Sequence, residues 1–346
     1  MRAFRTLLAL AAVLTTTGLV ASPARAADGD VAWTVRTASN SFGADRSSFS
    51  YAVNPGGKVD DTMVVANHGK TALDLAVYAA DGYTTKTGQL DLLTTDKKSK
   101  AIGVWLRAGS ERVTIQPGKS VDVPFTVAVP ANATPGDYVG GVVTSLTQPD
   151  QEQGINVERR LGIRVKLRVG GDLTPQLAIE NLKVSYAGSG NPFAKGDATV
   201  TYTIHNTGNA LESAKQAVSL SGPFGWLRAT SGEVPAAPEL MPGESWTVTV
   251  PVHGVAPALR LSATATLTPL ITDASGSTTP LDTIAATTHG WAVPWTLLLF
   301  VVVLIAVVIA IVVLTRRGRA QRKAREDARV EKAVEQAIRM KSASTS

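Results

Sequence analysis

The 346-residue sequence contains no cysteine. Without a thiol the chain can form no disulfide, no thiolate nucleophile and no zinc–sulfur site. The absence is typical of an exported protein that is stabilised by large hydrophobic cores, and it is equally what a lineage that avoids cysteine would show. Aromatic residues that could stack on sugars are also few, with Tyr83, Trp105 and Tyr138 as the candidates, and we expect Trp105 to pack in a core.

Catalytic motifs are missing as well. The sequence has no G-x-S-x-G, no H-E-x-x-H and no Gly-Lys-Ser/Thr after a glycine-rich turn. The acid pairs Asp28/Asp30 and Asp60/Asp61 lack the spacing of a calcium loop. Turn or surface positions are predicted for all four histidines, which are His68, His205, His253 and His289. We therefore expect neither an enzyme nor a bound metal or cofactor.

Charge is absent from the 24 residues Trp291–Leu314. At about 1.5 Å per residue a helix of this length spans the roughly 30 Å hydrocarbon core of a bilayer. Trp291 and Trp295 lie at its start, and basic residues follow it from Arg316. This pattern predicts a transmembrane helix at 290–315 with 291–314 in lipid, the C-terminus in the cytoplasm and the bulk of the chain outside the cell membrane, as a single-pass type I protein.

The N-terminus reads as an export signal over residues 1–26: Arg2 and Arg5, an apolar run, then Ala24-Arg25-Ala26 as a cleavage site. From Thr315 onward there are ten Lys/Arg and four Asp/Glu, whereas the exported part has 21 Lys/Arg and 24 Asp/Glu. The net charge of +6 thus comes from targeting and topology. It gives no indication of nucleic-acid binding.

The exported part shows apolar residues at every second position. Val121 to Val129, Val200 to Ile204 and Trp246 to Val252 all alternate in this way, bounded by glycine-containing turns. Such alternation is typical of half-buried antiparallel strands. The pattern predicts an all-β fold, because no convincing helical period precedes the apolar segment.

An internal repeat organises these strands. Each copy has a strand, an Asn-Gly turn that starts at Asn67 or Asn206, and a later Pro-Gly turn at Pro117 or Pro242 that leads into an alternating strand. Two copies of one plan predict two tandem Ig-like β-sandwich domains, at 27–170 and 171–289. The spacing between the turns is longer in the first copy, which indicates an insertion over residues 79–105.

The glycine-rich stretch from Pro135 to Gly141 permits two interpretations. Gly140 and Gly141 lie inside a predicted strand, where glycine marks a bulge or a close approach of backbone. One interpretation is a bend of the tyrosine-corner type at Tyr138. The other is a flat surface against which a glycan or a partner backbone lies.

A basic stripe follows in NVERRLGIRVKLRVGG, where apolar and basic residues alternate. One interpretation is an anion track about 27 Å long, at roughly 3.3 Å per residue, for wall teichoic acid phosphates or peptide-stem carboxylates. The other is an edge strand whose cations prevent association between sheets. The stripe consists of Arg160, Arg164, Lys166 and Arg168.

Several segments carry a family resemblance: Tyr51-x-Val53-x-Pro55, AADGYTTKTGQLDL, Trp105 and IQPGKSVDVPFTVAVPANATPGDYVGGV. Together, over Val31 to Val169, they resemble the N-terminal peptidoglycan-binding domain of the WxL-interacting-protein family of Gram-positive surface proteins. Its members have a signal peptide, two Ig-like domains, one transmembrane helix and a short basic tail. The resemblance implies non-catalytic attachment to the cell wall and a second domain that faces a protein partner.

The tail 316–346 is predicted to form a short helix near the inner membrane face, with docking to a cytoplasmic partner as the alternative. We thus expect a cell-surface protein that binds peptidoglycan or an anionic wall polymer and presents its second domain to a surface protein. An accessory or sensor subunit of a membrane complex is the alternative. The expected polymer contacts are Tyr83, Tyr138, Gly140, Gly141, Arg160, Arg164, Lys166 and Arg168.

Overall fold

A computed structural model describes residues 32–149, 156–191, 194–272 and 277–343. The chain is mostly β-sheet and ends in one long helix, as the alternation of apolar residues and the apolar segment predict. The predicted signal segment 1–26 lies outside the described residues.

The described part of the N-terminal β-region, residues 32–149 and 156–169, contains ten strands and one short helix. The strands are β1 Trp33–Thr37, β2 Phe49–Val53, β3 Lys58–Asn67, β4 Leu73–Thr84, β5 Leu90–Leu92, β6 Leu106–Ala108, β7 Arg112–Ile115, β8 Ser120–Ala128, β9 Gly136–Pro149 and β10 Asn156–Val169, and the helix is α1 Ile102–Trp105. One sheet has the order β1-β3-β8-β6. The other has the order β2-β10-β9-β4-β5, with β7 also paired to β4.

These two sheets enclose a shared core. Met63 and Val65 from β3, Phe125 from β8 and Val165 from β10 are all buried in one hydrophobic cluster. Because side chains alternate between the two faces of a strand, the neighbouring residues of β10 point away from this core. The basic residues of the predicted stripe lie on that outer face.

The C-terminal β-region, residues 177–292, has nine strands among its described residues: β11 Leu177–Ala187, β12 Gly196–Asn206, β13 Glu212–Ser221, β14 Ala229–Thr230, β15 Ala237–Leu240, β16 Ser245–Val255, β17 Leu259–Thr272, β18 Thr278–Pro280 and β19 Ile284–Ala292. One sheet is β11-β12-β16, and the other joins β14, β13, β17 and β18 in that order, with β15 on β13 and β19 on β17. A second hydrophobic cluster, with Tyr202 and Leu261 fully buried, lies between them.

A buried asparagine occupies the same place in both copies of the repeat. The Asn67 Nδ2 donates to the carbonyls of Thr71 and Ile115 at 2.8 and 2.9 Å, and its Oδ1 accepts from Gly69 N at 2.8 Å. The Gly118 amide returns a hydrogen bond to the Asn67 carbonyl. This network ties the Asn-Gly turn to the Pro-Gly turn.

Asn206 repeats this network bond for bond. Its Nδ2 donates to Ala210 O and Leu240 O at 2.7 and 2.9 Å, its Oδ1 accepts from Gly208 N at 3.0 Å, and Gly243 N donates to its carbonyl. The internal repeat predicted from the sequence is thus present as matched hydrogen bonds in the two β-regions.

The C-terminal helix α2 runs from Trp295 to Ala343 without a break. The described chain has one helix long and apolar enough to cross a membrane, and this is that helix. The prediction that Trp291 begins the transmembrane segment is wrong, because Trp291 lies in β19 and pairs with Arg260 of β17. The apolar run alone cannot separate strand from helix; Pro294, which favours the first turn of a helix, marks the boundary. The predicted separate tail helix is a continuation of α2.

Candidate functional site at the junction of the two β-regions

The outer face of β10 is turned toward the C-terminal β-region. The Lys166 Nζ donates to both carboxylate oxygens of Glu239, at 3.0 and 2.9 Å, and the Arg164 Nη1 lies 3.4 Å from the same carboxylate. Glu239 belongs to β15, so these ion pairs join the two β-regions. Their side chains are partly exposed, which limits each pair to a modest contribution to stability.

Arg168 and Asp137 form the most buried ion pair described at the junction. The guanidinium donates through Nε and Nη2 to the two oxygens of Asp137, at 2.6 and 2.8 Å. The same carboxylate accepts from the Leu211 amide at 2.7 Å, and Nη2 also donates to Thr272 O at 3.1 Å. One bidentate pair therefore holds two separate parts of the C-terminal β-region.

The short loop that contains Asn209 lies beside this pair and adds further hydrogen bonds between the two β-regions. The Asn209 Nδ2 donates to Pro135 O and Asp172 O at 3.0 and 2.9 Å, and the Asp137 amide donates to Asn209 O at 2.8 Å. At Gly136, φ is +145° and an added Cβ would lie 2.6 Å from Asn209 O. Glycine is required there both for its backbone conformation and for the close approach of the second region.

The centre of the junction is apolar. Val139, Leu211 and Met241 are buried against one another, and Tyr83 and Leu90 of the insertion pack on them. Open grooves of about 340 and 290 Å³ lie beside this cluster. The insertion therefore forms part of the junction between the two β-regions.

The basic stripe thus has partners within the chain. Three of its four cations, Arg164, Lys166 and Arg168, pair with carboxylates of this protein. The edge-strand interpretation fails for the C-terminal part of β10, because β2 pairs with it in parallel over Val165–Val169. The role as an anion track stays a prediction, but a ligand would have to compete with Glu239 and Asp137.

Gly140 and Gly141, predicted as polymer contacts, are buried. A Cβ at Gly140 would lie 2.4 Å from Ile102 Cγ2, and a Cβ at Gly141 would lie 2.5 Å from Leu92 Cδ1. The glycines permit a close approach, and it is the chain's own insertion, through Ile102 and Leu92, that lies against them. This corrects the prediction that a glycan or a partner backbone lies directly on these two residues.

The hydrogen bond of the Tyr138 hydroxyl confirms the predicted bend of the tyrosine-corner type. This hydroxyl donates to Thr134 O, four residues upstream, at 3.0 Å, and the Tyr138 ring packs edge-to-face on Trp105 with ring centroids 4.7 Å apart. Trp105 itself packs against the core of the N-terminal β-region, as expected. Tyr138 therefore has a clear structural role.

Tyr83 of β4 and Arg160 of β10 are half-buried next to residues of the insertion. The Tyr83 hydroxyl donates to Asp91 Oδ2 at 3.1 Å, and Lys97 Nζ lies 5.7 Å from the centre of its ring. The hydrogen bond to Asp91, followed by burial, raises the pKa of Tyr83. Arg160 Nη1 lies 3.3 Å from Leu92 O, and the hydrogen bond with Tyr78 raises the pKa of Arg160. We call Tyr83, Asp91, Lys97 and Arg160 the insertion patch.

The carboxylates of Asp60 and Asp61 both form ion pairs within the chain. Arg46 and Tyr51 donate to Asp61 at 2.7 and 2.5 Å. Burial alone would raise the pKa of Asp61, but these hydrogen bonds outweigh burial and the pKa lies below its usual value. No group of three or more His, Cys, Asp or Glu residues capable of holding a metal occurs among the described residues.

Glu212 is fully buried in the C-terminal β-region. Its Oε1 accepts from the Gln176 amide at 2.6 Å, whereas its Oε2 has no hydrogen-bond partner among the described residues. Burial raises its pKa to about 6, despite the opposing effect of the Gln176 amide. The carboxylate form is therefore disfavoured in the folded protein.

No protein-family profile matches the sequence, and no curated protein matches it. Several solved structures are similar. A complex from the CFA/I fimbriae, described as chaperone and tip adhesin, is 10% identical and covers 74% of this chain and 98% of its own, with a TM-score of 0.36. A CsuC–CsuE chaperone complex of Acinetobacter baumannii is 11% identical, with 72% and 97% covered and a TM-score of 0.34.

The E. coli chaperone DraB is 12% identical, with 73% of this chain and 98% of its own covered and a TM-score of 0.32. With TM-scores this low, the matches carry no argument about the activity or partners of this chain. Any proposal about function therefore rests on the contacts of the chain's own residues.

Sequence patterns alone do not reveal the carboxylate and amide partners at the junction. Asp137, Asn209, Leu211 and Glu239 contact residues that lie 31 to 75 positions away along the chain. Strand alternation places the stripe on an outer face but does not say which surface meets it. The one local signal is the unequal spacing in the repeat, which locates the insertion.

Proposed function

We propose that this protein is a non-catalytic, membrane-anchored surface protein, built as two tandem Ig-like sandwiches, that binds a cell-wall polymer through its N-terminal β-region. The proposal includes membership in the WxL-interacting-protein family. Support comes from the order of elements: two β-regions, one apolar helix and a basic continuation. In this topology the β-regions lie outside the cell and the C-terminus is cytoplasmic.

The proposal that the N-terminal β-region binds a polymer rests mainly on the insertion. Both β-regions share the asparagine network and the alternating strands, so these features account for the common framework. Between its two turns the first copy spans 50 residues, from Asn67 to Pro117, against 36 from Asn206 to Pro242, and the extra length falls within residues 79–105. A segment added to a stable framework, and presented on connecting loops, is a common location for binding.

The chemistry of the insertion patch suits a charged glycan. Tyr83 offers an aromatic ring, and Asp91 offers a carboxylate for sugar hydroxyls. Lys97 and Arg160 can pair with phosphate or with peptide-stem carboxylates, and the fork of arginine suits both anions. Arg160 donates to the Tyr78 hydroxyl and the Leu92 carbonyl of the N-terminal β-region, whereas each of the other three stripe residues has a partner in the C-terminal β-region.

Co-sedimentation with insoluble peptidoglycan tests this proposal. The full chain in detergent is mixed with sacculi that retain or lack teichoic acid, beside a Tyr83→Ala/Arg160→Ser variant. Arg107→Ser/Arg112→Ser is a matched control, because both residues are exposed cations of the same region. We expect the patch variant to lose at least tenfold in affinity and the control to bind normally.

Two outcomes count against the proposal. If the wild-type protein does not pellet with either preparation, wall binding is refuted. If the patch variant and the control lose affinity equally, nonspecific charge explains the binding. Loss of binding on removal of teichoic acid alone identifies the anionic polymer as the ligand.

The continuous helix favours a second candidate, an accessory or sensor subunit of a membrane complex. Beyond Leu314 the helix extends through 29 further residues, about 44 Å at 1.5 Å per residue. Val330 and Val334, four positions apart, are both exposed on this extension. Crosslinking from position 330 to a membrane protein in cells would support this function.

A further inference from the structure

A small apolar loop of the C-terminal β-region is strongly exposed. Between β13 and β14, the side chains of Phe224, Trp226 and Leu227 are 93%, 73% and 52% exposed, and Leu259 at the start of β17 is 57% exposed. Most other large apolar side chains of this region lie in one core or pack against it. An exposed apolar cluster on a framework that is otherwise well packed indicates an interaction site for a protein or a membrane.

The backbone holds this loop in a defined shape. Gly222 N donates to Trp226 O at 2.7 Å, and Trp226 N donates to Pro223 O at 3.2 Å. Phe224, Leu227 and Leu259 have φ of 57°, 54° and 57°, a conformation that costs energy for residues other than glycine. The loop therefore presents its apolar side chains outward at an energetic cost to the folded protein.

Strand pairing places the loop at the helix end of the region. Ser221, the last residue of β13, pairs with Ser262 of β17, and Ser262 pairs with His289 of β19. Since neighbouring strands lie about 4.8 Å apart, the loop begins roughly 10 Å to the side of β19. Leu259 pairs directly with Ala292, the last residue of β19.

Only Val293 and Pro294 separate β19 from α2. The first turn of the helix also contacts the region, because Thr296 Oγ1 donates to Ser189 O at 3.2 Å. A cavity of about 450 Å³, lined in part by Tyr186, Trp291 and Trp295, lies at this contact. A bilayer that contains the apolar part of α2 must therefore lie close to this end of the region.

We propose that Pro223–Arg228 and Leu259 insert into the interfacial layer of the lipid bilayer, in the leaflet where α2 enters. This inference rests on the membrane anchorage included in the proposed function. Indole rings favour the headgroup level, and Trp226 joins Trp291 and Trp295 there. Arg228 and Arg260, which flank the apolar cluster and are exposed, suit lipid phosphates.

Site-directed spin labelling tests the insertion, and it is straightforward because the chain has no native cysteine. Nitroxide labels are placed at Phe224→Cys, at Asp282→Cys just before β19 and at Val303→Cys inside α2. Each full-length variant is reconstituted in nanodiscs of phosphatidylcholine and phosphatidylglycerol. The accessibility of each label to oxygen and to an aqueous nickel chelate is then measured.

We expect the ratio of oxygen to nickel accessibility at position 224 to exceed that at position 282 by several-fold. Asp282 is the control because it precedes the start of β19, whereas α2 follows the other end of that strand. An aqueous label at 224 with a lipid-exposed label at 303 overturns the inference and leaves the anchorage intact. An aqueous label at 303 refutes the anchorage itself.

A second measurement uses the native side chain. Brominated lipids quench the fluorescence of indoles at the interface, and the Trp226→Phe variant removes one of them. If the loop is inserted, this variant loses part of the quenchable emission. If the quenched fraction is the same with and without Trp226, the loop is outside the bilayer and the inference fails.

Discussion

Removal of the buried asparagine in either repeat should destabilise the protein to a similar extent. Asn67 and Asn206 are 1% and 0% exposed, and each side chain makes three hydrogen bonds. In the alanine variants these bonds, at about 1 kcal/mol each, are lost, together with a buried bond to a carbonyl at Ile115 in one copy and at Ala210 and Leu240 in the other. We expect a loss of about 3 to 5 kcal/mol in the free energy of unfolding for each variant.

Equilibrium urea unfolding of the full chain in detergent, followed by circular dichroism, measures this loss. The exposed Asn132→Ala variant is the control and should change stability by less than about 0.5 kcal/mol. A loss below about 1 kcal/mol at Asn206 would contradict the argument, since it would mean that water replaces these bonds. A large loss at only one of the two positions would refute the equivalence of the repeats.

Three further predictions concern single contacts. Glu212→Gln should stabilise the protein by about 2 kcal/mol above pH 6, because the buried carboxyl has a raised pKa. The loss of stability that the ionised Glu212 causes in the wild type should vanish as pH falls from about 6 toward 4.5, and urea titrations across that range would measure this change. Gly141→Ala should displace Leu92 and cost about 1 to 3 kcal/mol, with faster proteolysis of the insertion; unchanged proteolysis would count against the packing of Leu92 on this glycine. Lys166→Ala and Glu239→Ala should be coupled by about 0.5 to 1 kcal/mol in a double-mutant cycle at low salt, and additive losses would show that the ion pair contributes nothing.

Much of the fold could be predicted from the sequence, because strands with one buried face require alternation. The alternating stretches from Val121, Val200 and Trp246 correspond to β8, β12 and β16. The repeat can also be recognised in the sequence, because its turns need Gly and Pro at fixed positions. The predicted start of α2 is too early, because Trp291 is compatible with both a strand and a helix.

The candidate site is less predictable. The stripe is recognisable from alternating charge, but its partners Glu239 and Asp137 are set by the way the two β-regions meet, and no local pattern encodes that. Likewise, Gly140 and Gly141 indicate a close approach correctly, while the approaching residues, Ile102 and Leu92, come from the chain's own insertion. Local patterns identify an unusual surface, and tertiary contacts decide what covers it.

The pairing of β2 with β10 has a consequence for how the protein is made. The core of the N-terminal β-region is closed by contacts between distant parts of the chain, such as Trp33 Nε1 donating to Thr144 Oγ1 across 111 positions. β2 finds its parallel partner only at Val165–Val169, the end of the region. At about 5 to 20 residues per second, synthesis reaches that point after roughly ten to thirty seconds. During this interval the nascent strands have unpaired edges. A factor that prevents these edges from pairing with other chains should therefore increase the yield of folded protein.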